Sequence, residues 1–242
     1  MTYSAAKLLS LIDLTSLSLQ DTDESIRALC QKADTPLGQV AAVCVYPKFL
    51  PLVTRILAPA MISVAVVVNF PEGKDSLSKV RADIALAVER GAQELDVVIP
   101  YHEIKKGNSD HVISFIRECK ASCGLRVLKT ILETGALTAS EIKKAAELAL
   151  EGGADFLKTS TGKLAVGATC EAAEILLSAI SKHQAATGHV VGFKASGGVK
   201  TVESASQYLD LAKGYLGEAY LSAKTFRIGA SSLVDVVLAS DE

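Results

Sequence analysis

The sequence predicts a (β/α)8 barrel, and three observations predict it. Eight apolar runs of strand length alternate with amphipathic helical stretches along the 242 residues. The runs are apolar on both faces, as parallel strands buried on both sides are. No Gly-x-Gly-x-x-Gly follows the first strand, which counts against an open doubly wound sheet, the alternative for alternating strands and helices.

In chain order, the first ten residues read as a short helix: the apolar stretch has no cleavage signature and acidic residues follow it, so it is not expected to be a signal peptide. Strands are expected at 11–14, 40–46, 63–69, 94–99, 126–132, 156–159, 190–194 and 226–229, rich in Val, Ile and Leu. Helical periodicity falls at 75–90, 108–123, 138–151, 170–186, 202–211 and 232–239. Pro71-Glu72-Gly73 and Lys105-Lys106-Gly107-Asn108 read as loops after the third and fourth strands. No linker or low-complexity segment divides the chain, so one domain over 1–242 is expected.

Composition narrows the function. With net charge −2, 5% aromatic residues and no Trp, the chain lacks the basic stripe and stacking platform of nucleic-acid binders. No run of 18 apolar residues suggests a membrane span. Five scattered cysteines in a chain this long point to a reduced, cytoplasmic protein. Cys119-x3-Cys123 is at most half a metal site, and His102, His111, His183 and His189 form no ligand pattern, so no metal and no cofactor are expected.

Charges inside the strands carry the chemistry. Three strand entries share one register: Gly91-Ala-Gln-Glu-Leu-Asp96, Gly124-Leu-Arg-Val-Leu-Lys129 and Gly153-Ala-Asp-Phe-Leu-Lys158. In each, a Gly closes a helix and a charge follows five residues later. Alternation places Asp96, Lys129 and Lys158 in the same strand phase. Lys194, after Phe193 and with Gly192 on its own face, and Asp13, between Ile12 and Leu14, extend the set to five. Barrel interiors are normally filled by branched apolar side chains, so five such charges read as one polar centre. Fully ionised, three lysines against two aspartates leave one surplus positive charge. Shedding it by deprotonating a lysine yields an amine that attacks carbonyls. Lys158 is the candidate nucleophile, Lys194 the neighbour that lowers its pKa, and Asp96 the proton carrier, through a water. The plainer alternative is a set of buried salt bridges, which fits Lys129 best, as a supporting partner of the carboxylates.

A second cluster follows the last two strands. Gly197-Gly198 leaves the seventh, and Gly229-Ala230-Ser231-Ser232 leaves the eighth and enters a helix. Barrels often bind phosphate here, through exposed backbone N–H groups and a helix N-terminus. Lys163, in the loop after the sixth strand, could add charge, and Ser231 could equally be only a helix cap. The implied substrate is a small phosphorylated carbonyl compound.

These residues form longer motifs. Leu11-Ile-Asp-Leu-Thr15, Ala41-Ala-Val-Cys-Val-Tyr-Pro47, Glu94-Leu-Asp-Val-Val-Ile-Pro-Tyr101, Leu128-Lys-Thr-Ile-Leu-Glu-Thr-Gly135, Gly153-Ala-Asp-Phe-Leu-Lys-Thr-Ser-Thr-Gly-Lys163, Val191-Gly-Phe-Lys-Ala-Ser-Gly-Gly-Val199 and Phe226-Arg-Ile-Gly-Ala-Ser-Ser232 resemble the deoxyribose-phosphate aldolase family over nearly the whole chain. The resemblance implies a metal-free class I aldolase on a (β/α)8 barrel, interconverting 2-deoxy-D-ribose 5-phosphate with D-glyceraldehyde 3-phosphate and acetaldehyde in deoxynucleoside catabolism. It implies Lys158 as the Schiff-base lysine, Lys194 as the residue that lowers its pKa, and Asp96 in proton relay. Asp13 and Lys129 support them. Lys163, Gly197, Gly198, Gly229, Ser231 and Ser232 fall on the family's phosphate positions, with Thr161 in the same loop. Cys44 sits where the family carries a cysteine linked to aldehyde inactivation; as a buried small hydrophobe it would be inert. Some members end in a tyrosine that assists proton transfer. This sequence has none after Tyr220, so either Asp96 and water suffice or the step is slower. Members are often dimers, so a homodimer is a candidate assembly. Another phosphorylated-sugar aldolase, or a sugar-phosphate sensor barrel, are the alternatives.

Overall fold

The structure, a computed structural model, describes residues 3–60 and 62–240. Met1, Thr2, Asp241 and Glu242, at the ends of the expected domain, therefore lie outside the described residues. The sheet is a closed barrel of eight parallel strands in sequence order: β1 (Ile12–Thr15), β2 (Ala42–Val45), β3 (Ser63–Val68), β4 (Glu94–Val98), β5 (Val127–Ile131), β6 (Phe156–Lys158), β7 (Gly192–Ser196) and β8 (Phe226–Ala230), with β8 pairing back to β1. The expected (β/α)8 architecture is thus observed.

Around the barrel lie α1 (Ala5–Leu9), α2 (Asp23–Gln31), α3 (Leu50–Leu57), α4 (Leu77–Glu89), α5 (Tyr101–Lys105), α6 (Ser109–Cys123), α7 (Ala139–Glu151), α8 (Cys170–Thr187), α9 (Val202–Leu216) and α10 (Leu233–Ala239). Hydroxyl caps start many of them. Thr22, Thr138 and Thr201 form capping boxes with Ser25, Glu141 and Ser204, and Ser76 and Thr169 cap α4 and α8. Gly91, Gly124 and Gly153, the residues of the repeated register, all have positive φ, so each turns the chain from helix into strand as glycine allows.

Element bounds differ from expectation in several places, the start of β2 at Ala42 rather than at residue 40 among them, and two of the differences have a local cause. The seventh strand starts at Gly192 rather than at residue 190. Pairing begins where the Gly192 amide donates to the Asp155 carbonyl at 2.8 Å, and Val190 is left 52% exposed in the connection from α8. Helix α9 runs past residue 211, through Gly214, and stops at Gly217, whose φ is +84°.

The outward strand side chains, such as Leu95, Leu128, Leu157, Phe193 and Ile228, pack under the helices in one continuous apolar layer. The inside of the barrel is divided. On β2 and β3 it is apolar, with Cys44, Ala65 and Val67 packed below Leu17. On the remaining strands it is charged.

Candidate active site

Alternation along β4, β5, β6, β7 and β1 brings together all five charges singled out in the sequence. Lys158 Nζ lies 2.7 Å from Asp96 Oδ2, and Lys194 Nζ lies 2.8 Å from the same oxygen and 2.5 Å from Asp13 Oδ2. Lys129 Nζ donates to Asp13 Oδ2 at 2.9 Å and lies 3.2 Å from Asp96 Oδ1. That last contact is poorly aligned: Asp96 Oδ1 is buried and takes no directed hydrogen bond.

The charge count from the sequence was incomplete. Glu94 and Arg227 also point inward. Arg227 donates from Nη2 to Glu94 Oε1 at 2.7 Å and from Nη1 to Asp13 Oδ1 at 2.5 Å, and Lys129 also bonds Glu94. Alternation could have found both, since Glu94 is two residues from Asp96 and Arg227 two from Gly229, on the same strand faces. The centre therefore holds four cations and three carboxylates. One partner of each sign was missed, so the surplus of one positive charge stands.

The structure also indicates which cation holds its proton most weakly. Lys129 has three carboxylates around it, and Lys194 and Arg227 two each. Among the described residues Lys158 has only Asp96, which it shares with Lys194. Burial and the Lys194 ammonium lower the Lys158 pKa, against the pull of Asp96. Burial acts the same way on Lys129 and Lys194, but there the carboxylates outweigh it and hold both amines above the ordinary range. For Asp13 and Asp96, burial alone would raise the pKa, and the surrounding cations reverse this and hold both well below the usual carboxylate range. Cys44 Sγ is 3.9 Å from Asp96 Oδ2, and burial and that carboxylate push the thiol up, so it stays protonated.

Lys158 sits at the floor of a cavity of about 610 Å³ at the C-terminal mouth of the barrel, the end where barrel enzymes place their chemistry. Thr161, Lys163, Gly197, Gly198, Gly229 and Ser231 line it as well. Ser232 follows Ser231 directly as the exposed N-cap residue of α10. Lys163 Nζ is held at the rim by the Leu17 carbonyl, 2.6 Å away. Gly197 and Gly198 have φ of +87° and +88°, and a Cβ on Gly197 would come within 3.0 Å of the Gly167 backbone, so only glycine fits this approach of two loops. A Cβ on Gly229 would meet Lys194 Cε at 3.1 Å; the missing side chain makes room for that lysine. A slightly larger groove of about 660 Å³ lies outside, between α7 and α8, far from the buried charges.

Glu133 is a third residue missed in the sequence, and strand alternation could not have revealed it. It lies in the loop after β5 in a left-handed conformation, φ +54°, and is buried. Its carboxyl accepts from the Thr161 amide at 3.2 Å and from the Thr161 hydroxyl, tying down the loop that carries Lys163. Burial raises its pKa. Beside it, Thr159 and Ser160 donate to the Ser196 carbonyl at 3.1 and 3.0 Å, locking the ends of β6 and β7 together.

An amine with a lowered pKa, beside a second amine kept charged, at the mouth of a closed parallel barrel, belongs to enzymes that attack carbonyls. The comparisons with known proteins narrow that class. Residues 7–236 match the family described as DeoC/LacD family aldolase, and the chain belongs to that family. It is accordingly an aldolase, a lyase working on carbon–carbon bonds. Similar solved structures include a candidate deoxyribose-phosphate aldolase from Coccidioides immitis, 30% identical, with a TM-score of 0.86, covering 99% of this chain and 88% of that one. One from Toxoplasma gondii is 26% identical, with a TM-score of 0.88 over 97% and 92% of the two chains. The deoxyribose phosphate aldolase of Aeropyrum pernix, described as a unique tetramer, is 25% identical, with a TM-score of 0.79 over 99% and 93%.

Proposed function

We propose that the chain is a class I deoxyribose-phosphate aldolase in which Lys158 forms the Schiff base. The observation that carries this reading is that Lys158, alone among the four cations of the centre, has a single, shared carboxylate partner and opens onto the cavity. The neutral Nζ attacks C1 of open-chain 2-deoxyribose 5-phosphate. The carbinolamine loses water to give the iminium. Removal of the C3 hydroxyl proton breaks the C2–C3 bond, releasing D-glyceraldehyde 3-phosphate, and the electron pair moves into an enamine on Lys158. Protonation at C2 and hydrolysis then free acetaldehyde and regenerate the amine.

Asp96 Oδ1, buried and without a directed donor, suits it to orient the water that moves these protons, while Oδ2 stays occupied by the two lysines. Lys194, held charged by Asp13 and Asp96, keeps Lys158 neutral. The phosphate is placed against Gly197, Gly198, Gly229 and Ser231, with Lys163 at the rim, where glycine backbone lets an anion approach closely. In this reading residues 1–242 form one barrel domain working in the cytoplasm in deoxynucleoside breakdown, and the chain assembles with copies of itself. Among the described residues no helix is long and apolar enough to cross a membrane.

Borohydride trapping with acetaldehyde, followed by peptide mass mapping, tests the assignment. A reduced two-carbon adduct on Lys158, absent from Lys158→Ala, is expected. An adduct on Lys194 or Lys129 would reverse the roles, and none from folded protein would sink the reading.

A further inference from the structure

Beneath the reacting groups lies a second layer of charge that the reaction does not touch. Arg227 grips Glu94 through both terminal nitrogens, 2.7 Å from Nη2 to Oε1 and 3.3 Å from Nη1 to Oε2, and reaches Asp13 Oδ1 at 2.5 Å. Lys129 bonds Glu94 at the same Oε2 that Arg227 Nη1 reaches. Asp13 passes the contact upward, its Oδ2 accepting from Lys129 and Lys194. Lys194 then meets Asp96, and Asp96 meets Lys158. The Phe156 ring lies beside this layer, its centroid 5.8 Å from Arg227 Cζ and 5.9 Å from Lys129 Nζ. Glu94 is 3% and Arg227 6% exposed, so neither charge is screened by bulk water.

We propose that Glu94 and Arg227 are positioning residues that set the charge balance felt by Lys158 without contacting substrate. The inference rests on the Schiff-base reading above. Its logic is the charge count. With Glu94 and Arg227 both present the centre has one surplus positive charge, carried where partners are fewest. Neutralise Glu94 and there are two surplus charges, so the lysine with the weakest hold on its proton gives it up more readily. Neutralise Arg227 and the surplus vanishes, so Lys158 keeps its proton. Arg227 also occupies Asp13 Oδ1; its fork fixes the carboxylate whose other oxygen keeps Lys194 charged. The groups facing Lys158 from each side are Asp96 on β4, Lys194 on β7, Cys44 on β2, Glu133 in the loop after β5, and, one step removed, Lys129 on β5 and Asp13 on β1. Neither member of the pair touches the amine, so their effect reaches it through charge and through Asp13 and Lys129.

The test measures the pH dependence of borohydride trapping of acetaldehyde on Lys158, read by peptide mass, in wild type, Glu94→Gln, Arg227→Gln and the double variant. The acid limb is expected to move to lower pH in Glu94→Gln and to higher pH in Arg227→Gln, each by about one pH unit, the effect of a unit charge ~12 Å away in a medium of effective dielectric ~20. The double variant is expected to keep the wild-type limb, and Arg227→Lys, which retains the charge, to shift it least among the Arg227 variants. A purely structural pair would lower trapping at every pH and move no limb. Single-variant limbs that stay put, or that move the same way in both single variants, would overturn the proposal. Each single change strands a buried charge. If neither single variant folds, the double variant decides, since it strands none: a limb displaced by a unit or more refutes the balance, and an unmoved limb upholds it. Absence of any adduct on wild-type Lys158 would instead refute the Schiff-base reading, so the two failures are distinct.

Discussion

Replacing Lys194 with leucine should return the proton to Lys158. Two ammonium nitrogens 2.7 and 2.8 Å from one carboxylate oxygen can be no more than about 5.5 Å apart. At that separation and an effective dielectric of ~20, their repulsion is about 3 kcal/mol, equivalent to about two pH units on the Lys158 amine. The substitution acts twice in the same direction. It removes that repulsion, and it leaves Asp96 Oδ2 to Lys158 alone. The remaining three cations then match three carboxylates, and no surplus charge drives deprotonation. Below both pKa values the neutral fraction of Lys158 falls about 100-fold for a two-unit rise.

The assay is kcat/KM for cleavage of 2-deoxyribose 5-phosphate across pH 5 to 10. The acid limb of Lys194→Leu should lie about two units to the alkaline side of the wild-type limb, with much of the rate recovered at high pH. A uniform loss at every pH, with the limb unmoved, would refute the reasoning: Lys194 would then act by contact or proton transfer and not by its charge.

Ser231→Glu, which puts a like charge where the phosphate is placed, should raise KM for the phosphorylated sugar at least about 10-fold and leave unphosphorylated 2-deoxyribose little changed; equal losses would remove the phosphate assignment. Gly192→Ala would drive a Cβ to 2.4 Å from the Phe156 ring, so thermal unfolding should show a loss of about 1–3 kcal/mol, and an unchanged melting point would mean the ring has room to move. Asp13 titrates well below its ordinary range in the folded chain. Because that folded value lies below an unfolded value of about 3.9, its contribution to stability is complete above about pH 4 and lost as pH falls toward the folded value. The stability gap between wild type and Asp13→Asn in urea unfolding should therefore stay constant from pH 7 to 5 and shrink only below about 4; a gap that closes between pH 7 and 6 would contradict it.

The barrel and most of its centre were legible because both rest on strand periodicity. A charge beside a leucine in a run otherwise apolar on both faces must go inward, and Asp13, Asp96, Lys129, Lys158 and Lys194 do. The same rule applied two residues along adds Glu94 and Arg227, which stand at or next to a strand start. Glu133 obeys no such rule. Its inward reach depends on one left-handed residue in a loop, which alternation does not describe. The start of β7 was misjudged because Val190 is apolar, whereas pairing depends on which amide meets the Asp155 carbonyl.

The energetics of the centre point to what it is for. Seven ionisable side chains inside a barrel are a poor way to stabilise it, since desolvation offsets much of their attraction and well-packed apolar groups of the same volume often serve as well or better. On β2 and β3 this barrel has that solution, with Cys44, Ala65 and Val67 filling the interior. The charged half persists where it surrounds Lys158. A balanced set of ion pairs would leave every lysine protonated and inert toward carbonyls. An unbalanced set, with the deficit of carboxylates falling on the one amine that opens to the cavity, lowers the pKa of that amine while its neighbours stay charged. The arrangement favours reactivity over stability, and the unequal sharing of three carboxylates among four cations is what confines that reactivity to Lys158.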